Sequence, residues 1–323
     1  MKSIVYGPSK TLALIEVEKP VPADDEVLLK VRAASVNPLD AHILNNAPLV
    51  RSILFKVIGA RVVRPGFDLA GEVEAVGKSV TRFAPGDAVF GACPGGAFAE
   101  YACTSETRLA MKPTNINFES AATVNVAGRT ALQGIRDIAG VTPGQSVLIN
   151  GAAGGIGTFA VQISKWLRAK VTGVCSTRNV EMVRRIGADH VIDYTKQDFA
   201  KNGEQYDVIF DLVADRPLRS LRHVLTPQGK WIGAGVLGRD ISIIRAFAAS
   251  LKGPALSLIG KQKFISFMTK RQKGDLDVFA DLMERGTITP VIDRTFRLTE
   301  SAEALAYVDA KHARGKVVIS IAD

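Results

Sequence analysis

The sequence predicts an α/β protein in which a β-rich, barrel-like unit is joined to a doubly wound parallel sheet. Three observations carry this prediction. Ser146 to Gly157 reads as a strand, a glycine-dense turn and a helix start. The chain beyond it alternates short apolar strands with helices of about ten residues, the pattern of parallel βαβ units. Residues 1 to about 118 instead hold short strands separated by Pro and Gly turns, with little helical periodicity.

In the first part, Val27 to Ala33 and Leu69 to Val76 alternate apolar and polar residues. Gly86 to Gly91 follows a Pro-Gly turn, and Ala97 to Cys103 is a further strand. The tail, Gly315 to Ile321, has the same character, so the chain is expected to return to this unit. The predicted division is 1–118 and 266–323 for the β-rich unit, with 119–265 for the parallel sheet. Within 119–265, Val147 to Asn150 is a short buried strand. A helix is expected from about Gly157, with Phe159 to Leu167 amphipathic, followed by a strand from Lys170 to Ser176. His190 to Tyr194 is a strand after the helix stop at Ile186-Gly-Ala188. Tyr206 to Val213 is nearly continuously apolar, as a strand covered on both faces must be. Lys230 to Val236 follows a Pro227-Gln-Gly229 turn and is another.

Composition narrows the function classes. The 323 residues, 47% hydrophobic and 23% charged, suit globular domains with real cores. No apolar run reaches the roughly 18 residues that span a bilayer. The start, Met1-Lys-Ser-Ile-Val-Tyr-Gly7, lacks a signal-peptide hydrophobic core. Cys93, Cys103 and Cys175 are too few and scattered for a disulfide framework or a four-cysteine zinc lobe, so a reducing cytoplasm is the expected compartment. The net charge of +9 is not organised for nucleic acid, because no basic block is interleaved with aromatics and no nucleic-acid motif is present. Part of it can attract a polyanionic cofactor. The densest basic stretch, 239–273, alternates with apolar residues. Such a segment can rest weakly on an anionic membrane surface, or pack against its own protein or a second subunit.

Chemistry enters at the glycine turn. Ala152, Gly154 and Gly157 occupy the three positions of a G-x-G-x-x-G turn, which lets the backbone of Ala153, Gly154, Gly155, Ile156 and Gly157 approach a pyrophosphate at a helix N-terminus. In an NAD site an acid about 20 residues later accepts bonds from the adenosine ribose. Here the second strand ends Cys175-Ser-Thr-Arg-Asn179. A carboxylate would repel a 2′-phosphate, whereas the hydroxyl of Ser176 and the guanidinium of Arg178 would bind it, so NADPH is the expected cofactor.

Five motifs, in order along the chain, carry a resemblance. They are Ala34-Ser-Val-Asn-Pro-Leu-Asp40, Arg64-Pro-Gly-Phe-Asp-Leu-Ala-Gly-Glu-Val73, Ala127-Gly-Arg-Thr-Ala-Leu132, Asn150-Gly-Ala-Ala-Gly-Gly-Ile-Gly157 and His312-Ala-Arg-Gly-Lys-Val-Val318. The chain resembles the medium-chain dehydrogenase/reductases, in their zinc-free quinone oxidoreductase branch. Its apolar basic insert is most similar to the subgroup of the chloroplast-envelope quinone oxidoreductase homologue and the reticulon-interacting mitochondrial protein. The resemblance implies a GroES-like barrel domain plus a Rossmann domain, and a homodimer formed through the cofactor domains' sheet edges. It also implies cofactor contacts at Thr130, at Ser176, Arg178 and Tyr194 around the 2′-phosphate, at Val213 and Ala214 along the adenosine ribose, and at Gly235, Val236 and Leu237 near the nicotinamide amide.

Zinc-dependent relatives hold their catalytic metal with a cysteine, a histidine and a third ligand. The matching places are Asn37, Phe67 and Val124-Asn-Val126, which offer no thiolate or imidazole, so no metal is expected. Without a Lewis acid, quinones and α,β-unsaturated carbonyls are easier hydride acceptors than simple ketones, since conjugation spreads the incoming charge onto oxygen. The resemblance puts Asn37 and Asp40 in the loop beside the nicotinamide. There Asn37 is a candidate donor to the acceptor oxygen, and Asp40 a catalytic candidate or only a loop brace. Several relatives carry a tyrosine shortly after this loop as a proton donor. Ala41 to Asn46 has none, which leaves His42 or water to protonate the product. The reading is an NADPH-dependent, zinc-independent reductase of quinones, enones or enals. Its rivals are an enoyl-thioester reductase and an NADPH-binding, membrane-associated scaffold with little turnover.

Overall fold

The strand at the centre of the first sheet is Glu26–Val36, eleven residues of which eight are buried, the last four in a row, as a strand covered on both faces near its end must be. The computed structural model describes residues 1–6, 11–45, 64–234 and 260–321, the side chains of 42–45 excepted. Its strands are β1 (Lys2–Tyr6), β2 (Leu12–Glu16), β3 (Glu26–Val36), β4 (Asp68–Val76), β5 (Ala88–Ala92), β6 (Tyr101–Ser105), β7 (Leu109–Met111), β8 (Ser146–Asn150), β9 (Lys170–Cys175), β10 (His190–Asp193), β11 (Tyr206–Asp211), β12 (Leu225–Gly233), β13 (Lys263–Ser266), β14 (Ile292–Arg297) and β15 (Lys316–Ser320). The helices are α1 (Pro38–Asn45), α2 (Phe118–Ala121), α3 (Val124–Leu132), α4 (Gly155–Trp166), α5 (Val180–Arg185), α6 (Leu218–Leu221), α7 (Asp275–Glu284) and α8 (Ser301–Asp309).

The chain divides into two units, Met1–Val126 with Gln272–Asp323, and Ala127–Arg271. The first unit therefore extends past the expected 118, because α2 packs on β3 and β4. It also resumes at Gln272, beyond the expected 266. Its main sheet follows the order β14-β15-β3-β4-β5-β7, with β6 also paired to β3 and β1–β2 forming a separate antiparallel pair. All pairings in the main sheet are antiparallel except β14–β15. The tail returns as β15 beside β3, as its apolar alternation requires. Leu29, Leu69, Val89, Phe98 and Ile319 lie in its core.

The second unit is a six-stranded parallel sheet in the order β10-β9-β8-β11-β12-β13. Strands are added outward from β8 to β10 on one side and then from β11 to β13 on the other, and this reversal of order between β8 and β11 is the topological switch of a doubly wound fold, where ligands meet the strands' carboxyl ends. β8 and β11 are buried almost throughout, as their apolar runs demand. Leu148, Ile209, Trp231 and Phe264 pack beneath them.

Several elements differ from expectation at their ends. Helix α4 begins at Gly155 rather than about Gly157, because Gly154 already serves as its N-cap. β12 begins at Leu225 and runs through Pro227-Gln-Gly229, where the register against β11 shifts between Tyr206 and Val208; such an irregularity is where a strand tolerates proline. Residues Ala97 and Phe98 are not yet strand, since their N–H groups bond to Gly66 and Pro65 carbonyls. Among the described residues no helix is long and apolar enough to cross a membrane. Most of the basic segment 239–273 lies outside the described residues.

Candidate functional site

The glycine turn follows β8 directly. Gly151 sits at φ +88°, a left-handed conformation that disfavours a side chain, and Gly154 N–H closes the turn on its carbonyl at 3.1 Å. A Cβ on Gly157 would lie 2.2 Å from the Gly151 oxygen, so only glycine lets α4 start against the turn. Ala152 replaces the first glycine and is fully buried, its N–H bonded to Val174. Gly154 caps α4 without a side chain, and the helix's first internal bond runs from Thr158 N–H to Gly154. The N–H groups of Gly155, Ile156 and Gly157 thus have no acceptor within the helix. Gly154, Gly155 and Ile156 are partly exposed, while Ala153 is buried. An uncapped helix N-terminus at the carboxyl edge of a parallel sheet fits the pyrophosphate of a dinucleotide.

One strand over, β9 ends at Cys175, and Ser176 is half-buried as the N-cap of a 3₁₀ turn, Thr177–Asn179. No acid ends β9, but Asp193 ends β10 in register with Cys175. Its carboxylate accepts from the Thr177 hydroxyl at 2.5 Å, the Thr195 hydroxyl at 2.7 Å and the Thr195 N–H at 3.0 Å, with the Lys196 ammonium at 3.7 Å. These donors, Thr177 foremost, hold its carboxyl below the usual carboxylate range. Arg178 and Tyr194 are exposed, and Tyr194 N–H bonds to Cys175. Burial pushes the Cys175 thiol up to about 11, so it is not a nucleophile at neutral pH.

The strand ends beyond are tied by Asp211, which is buried at the end of β11. It accepts from Asn150 Nδ2 at 2.9 Å, Trp231 Nε1 at 3.1 Å and the N–H groups of Val213 and Ala214. Val213 is half exposed, and Ala214 takes a left-handed φ of 54°. Thr130 is buried, its hydroxyl 2.7 Å from that of Thr269. Gly235, Val236 and Leu237 lie outside the described residues.

The first unit holds a second polar group of a different kind. Asn37, Asp40, Asp68, Asn125 and Lys316 are all buried. Asp68 stands at its centre. Its Oδ2 accepts from Asn37 Nδ2 and Ser35 Oγ, and its Oδ1 from Asn125 Nδ2 and Val126 N–H. The Lys316 ammonium donates to Asn37 Oδ1 at 2.6 Å and lies 3.6 Å from Asp68. Burial holds the Lys316 ammonium below its ordinary pKa, against the raising effect of Asp68. Asp40 braces the loop, its two oxygens accepting from Asn37 N–H at 2.9 Å and Gly66 N–H at 2.8 Å. Burial nevertheless pushes its carboxyl up to about 7.

The three positions that match the family's metal ligands do come together, but around a carboxylate. Asn37 and Asn125 both donate to Asp68, and Phe67 contributes only its carbonyl, which accepts from Asn125. The Asn37 amide is committed on every side, to Ser35, Asp68 and Lys316, so a bond to an acceptor oxygen would have to displace one of these. His42 lies on α1 with its side chain outside the described residues. Among the described residues no group of three or more His, Cys, Asp or Glu is placed to hold a metal. No spacing in the sequence points to the roles of Asp68, Lys316, Asn179, Asp193 and Asp211; Asp68 and Lys316 stand inside the quoted motifs, the one mark the sequence puts on that pair.

Comparison with known proteins bears on the family. Residues 23–114 match the alcohol dehydrogenase GroES-like domain, and residues 186–319 match a family described as zinc-binding dehydrogenase. The latter region does not include Asn37, Phe67 or Asn125. The chain is 31% identical to a chloroplastic quinone-oxidoreductase QR1 of Triphysaria versicolor, covering 99% of this chain and 98% of that one. It is 31% identical to an NADPH-dependent alkenal/one oxidoreductase of Arabidopsis thaliana, covering 99% and 79%. Among solved structures, the quinone oxidoreductase from Coxiella burnetii superposes with a TM-score of 0.86 at 27% identity, covering 100% and 99%.

Proposed function

The chain belongs to the medium-chain dehydrogenase/reductases, in their quinone oxidoreductase branch, and on that premise we propose that it reduces quinones, enones or enals with NADPH and without zinc. The observation that carries the reading is one edge of the parallel sheet, where the uncapped first turn of α4 stands beside a strand end that offers Ser176 and Arg178 and no acid of its own. The backbone of Ala153 to Gly157 holds the pyrophosphate, and Ser176, Arg178 and Tyr194 take the 2′-phosphate. Thr130, Val213 and residues 235–237 line the remainder of the cofactor. When bound, NADPH supplies the hydride.

In the other unit, Asp40 acts as a brace and Asn37 as a positioning residue, held by Lys316 and Asp68. The amide donors at the metal-matching positions support the zinc-free reading, since an asparagine N–H and a phenyl ring cannot replace thiolate and imidazole. Conjugated acceptors need no Lewis acid, and protonation of the reduced product falls to His42 or water. The three free thiols suit a reducing, cytoplasmic setting. Among the described residues β13 ends the parallel sheet, and a homodimer through paired sheets fits such an edge.

The test is oxidation of NADPH and NADH against quinones, enals, enones and enoyl thioesters, before and after dialysis against a strong chelator. NADPH-driven turnover of quinones or enones that survives dialysis is the expected result. Preference for enoyl thioesters would redirect the substrate assignment, metal-restorable loss would overturn the zinc-free reading, and silence across the panel would favour a non-enzymatic role.

A further inference from the structure

We propose that Asn179 and Asp193 are positioning residues, Asn179 turning the Ser176 hydroxyl hydrogen outward and Asp193 anchoring the turn through Thr177, and that this arrangement selects a 2′-phosphate over a 2′-hydroxyl. The inference rests on the NADPH reading and deepens it. A phosphate dianion offers only acceptors, whereas a ribose hydroxyl both donates and accepts. A hydrogen pointed at the site makes a charge-assisted bond to the phosphate that is stronger than the bond a neutral hydroxyl can accept.

Asn179 does this for Ser176. It is 7% exposed, its N–H bonds to the Ser176 carbonyl at 2.9 Å, and its Nδ2 lies 3.2 Å from Ser176 Oγ. An amide nitrogen only donates, so Ser176 Oγ is the acceptor in that contact and its own proton is left to point elsewhere. The arrangement carries a penalty that a purely structural residue would avoid. Asn179 Oδ1 is buried without a partner among the described residues, and an unpaired buried acceptor is destabilising. An apolar side chain of similar size would fill the space without that cost. Retaining the amide makes sense if the direction of its N–H matters.

Asp193 does the complementary work. An ionised carboxylate only accepts, so the Thr177 hydroxyl donates into it and anchors the turn from behind. The same carboxylate lies against the turn expected to hold the 2′-phosphate and would ordinarily repel it. Here its charge is met by two hydroxyls, one N–H and the Lys196 ammonium, and both of its oxygens face donors. A carboxylate close to the turn is thereby made a brace for an NADPH site.

The two residues can be tested on the full chain with cofactor fragments, independently of turnover. Binding of 2′,5′-ADP and 5′-AMP is measured by titration calorimetry, with thermal melting as a fold control. The wild type should prefer 2′,5′-ADP. Asn179→Ala should narrow that preference about tenfold, the worth of one charge-assisted hydrogen bond, with 5′-AMP affinity within about twofold. In a Ser176→Ala background the same change should have no further effect on the preference, because its action passes through the Ser176 hydroxyl. Additive losses would overturn the role of Asn179. Asp193→Asn supplies a test of opposite sign. Removing a negative charge raises 2′,5′-ADP affinity if the carboxylate merely repels phosphate, and lowers it about threefold or more if the carboxylate positions the turn. A rise would overturn the role of Asp193. Equal wild-type binding of the two fragments would overturn the NADPH reading and this inference with it, whereas a wild-type preference untouched by these variants would overturn this inference alone.

Discussion

The two polar groups of this molecule are opposites in how they use their hydrogen bonds. In the barrel-like unit, Asn37, Asp40, Asp68, Asn125 and Lys316 face inward and saturate one another. At the edge of the parallel sheet, the first turn of α4 has N–H groups with no acceptor in the helix, and the amide of Asn179 keeps an unpartnered oxygen. The difference is between a polar group closed on itself and one with donors and an acceptor left over. A closed polar group rigidifies what surrounds it, and an open one at a strand's carboxyl end waits for a ligand. The contrast matters most at the metal-matching positions, where asparagines convert a ligand set into a self-contained cluster around Asp68.

The largest expected effect follows from breaking the closed group. Lys316→Met leaves Asp68 without its cation and Asn37 Oδ1 without its donor, both buried. Removing one partner of a buried ion pair costs about 3–5 kcal/mol. Denaturant unfolding should register a loss of that order, while affinity for 2′,5′-ADP stays within about twofold. A stability loss below about 1 kcal/mol would show that the cluster is not closed. A large loss of cofactor-fragment affinity in a folded variant would show that the two regions are coupled.

Asp40 sharpens the same side of the comparison through pH. Burial raises its carboxyl to about 7 from an ordinary 3.8, despite the two backbone donors. Between those values the folded chain holds a proton that the unfolded chain has released, so this group's contribution to stability falls as pH rises from about 4 to 7 and is regained on acidification. The upper bound is about 4 kcal/mol, from roughly 1.4 kcal/mol per unit. Comparing the pH dependence of unfolding in the wild type and Asp40→Asn isolates it. The variant should lose the downward slope over that window, and an unchanged slope would assign the effect to other groups.

The sequence exposed the open region more fully than the closed one, for a physical reason. The glycine turn depends on local backbone geometry, with a left-handed Gly151 and a side-chain-free Gly157, and local geometry is written in adjacent residues. The missing acid after β9 was legible in the same way. The register that brings Asp193 beside Cys175 belongs to strand pairing across the sheet, and no spacing along the chain states it. The cluster is still less local, since Asn37, Asp68 and Lys316 meet only because β15 returns to pair with β3. Asn37 therefore looked like a free donor in sequence, and only the fold reveals that its amide is already engaged. Helix and strand ends, such as the early start of α4 at Gly155, depend on capping that apolar periodicity does not resolve.

The smallest expected effect tests whether the open region discriminates by charge as well as by direction. Arg178 is exposed, so water screens its attraction to a phosphate, and a contribution of about 1 kcal/mol, roughly fivefold in affinity, is the scale to expect. Arg178→Ala should narrow the preference for NADPH over NADH by about that factor, read by nicotinamide fluorescence titration, with unfolding stability changed by less than about 0.5 kcal/mol. The preference should also weaken in the wild type as pH falls through about 6, where a 2′-phosphate takes up its second proton. Asp193 does not contribute to that change, because its donors hold it ionised below the usual carboxylate range. If Arg178→Ala abolishes the pH dependence, the guanidinium reads the second phosphate charge. If the dependence persists undiminished, that charge is read by Ser176 and the backbone, and the donor direction set by Asn179 becomes the main source of selectivity.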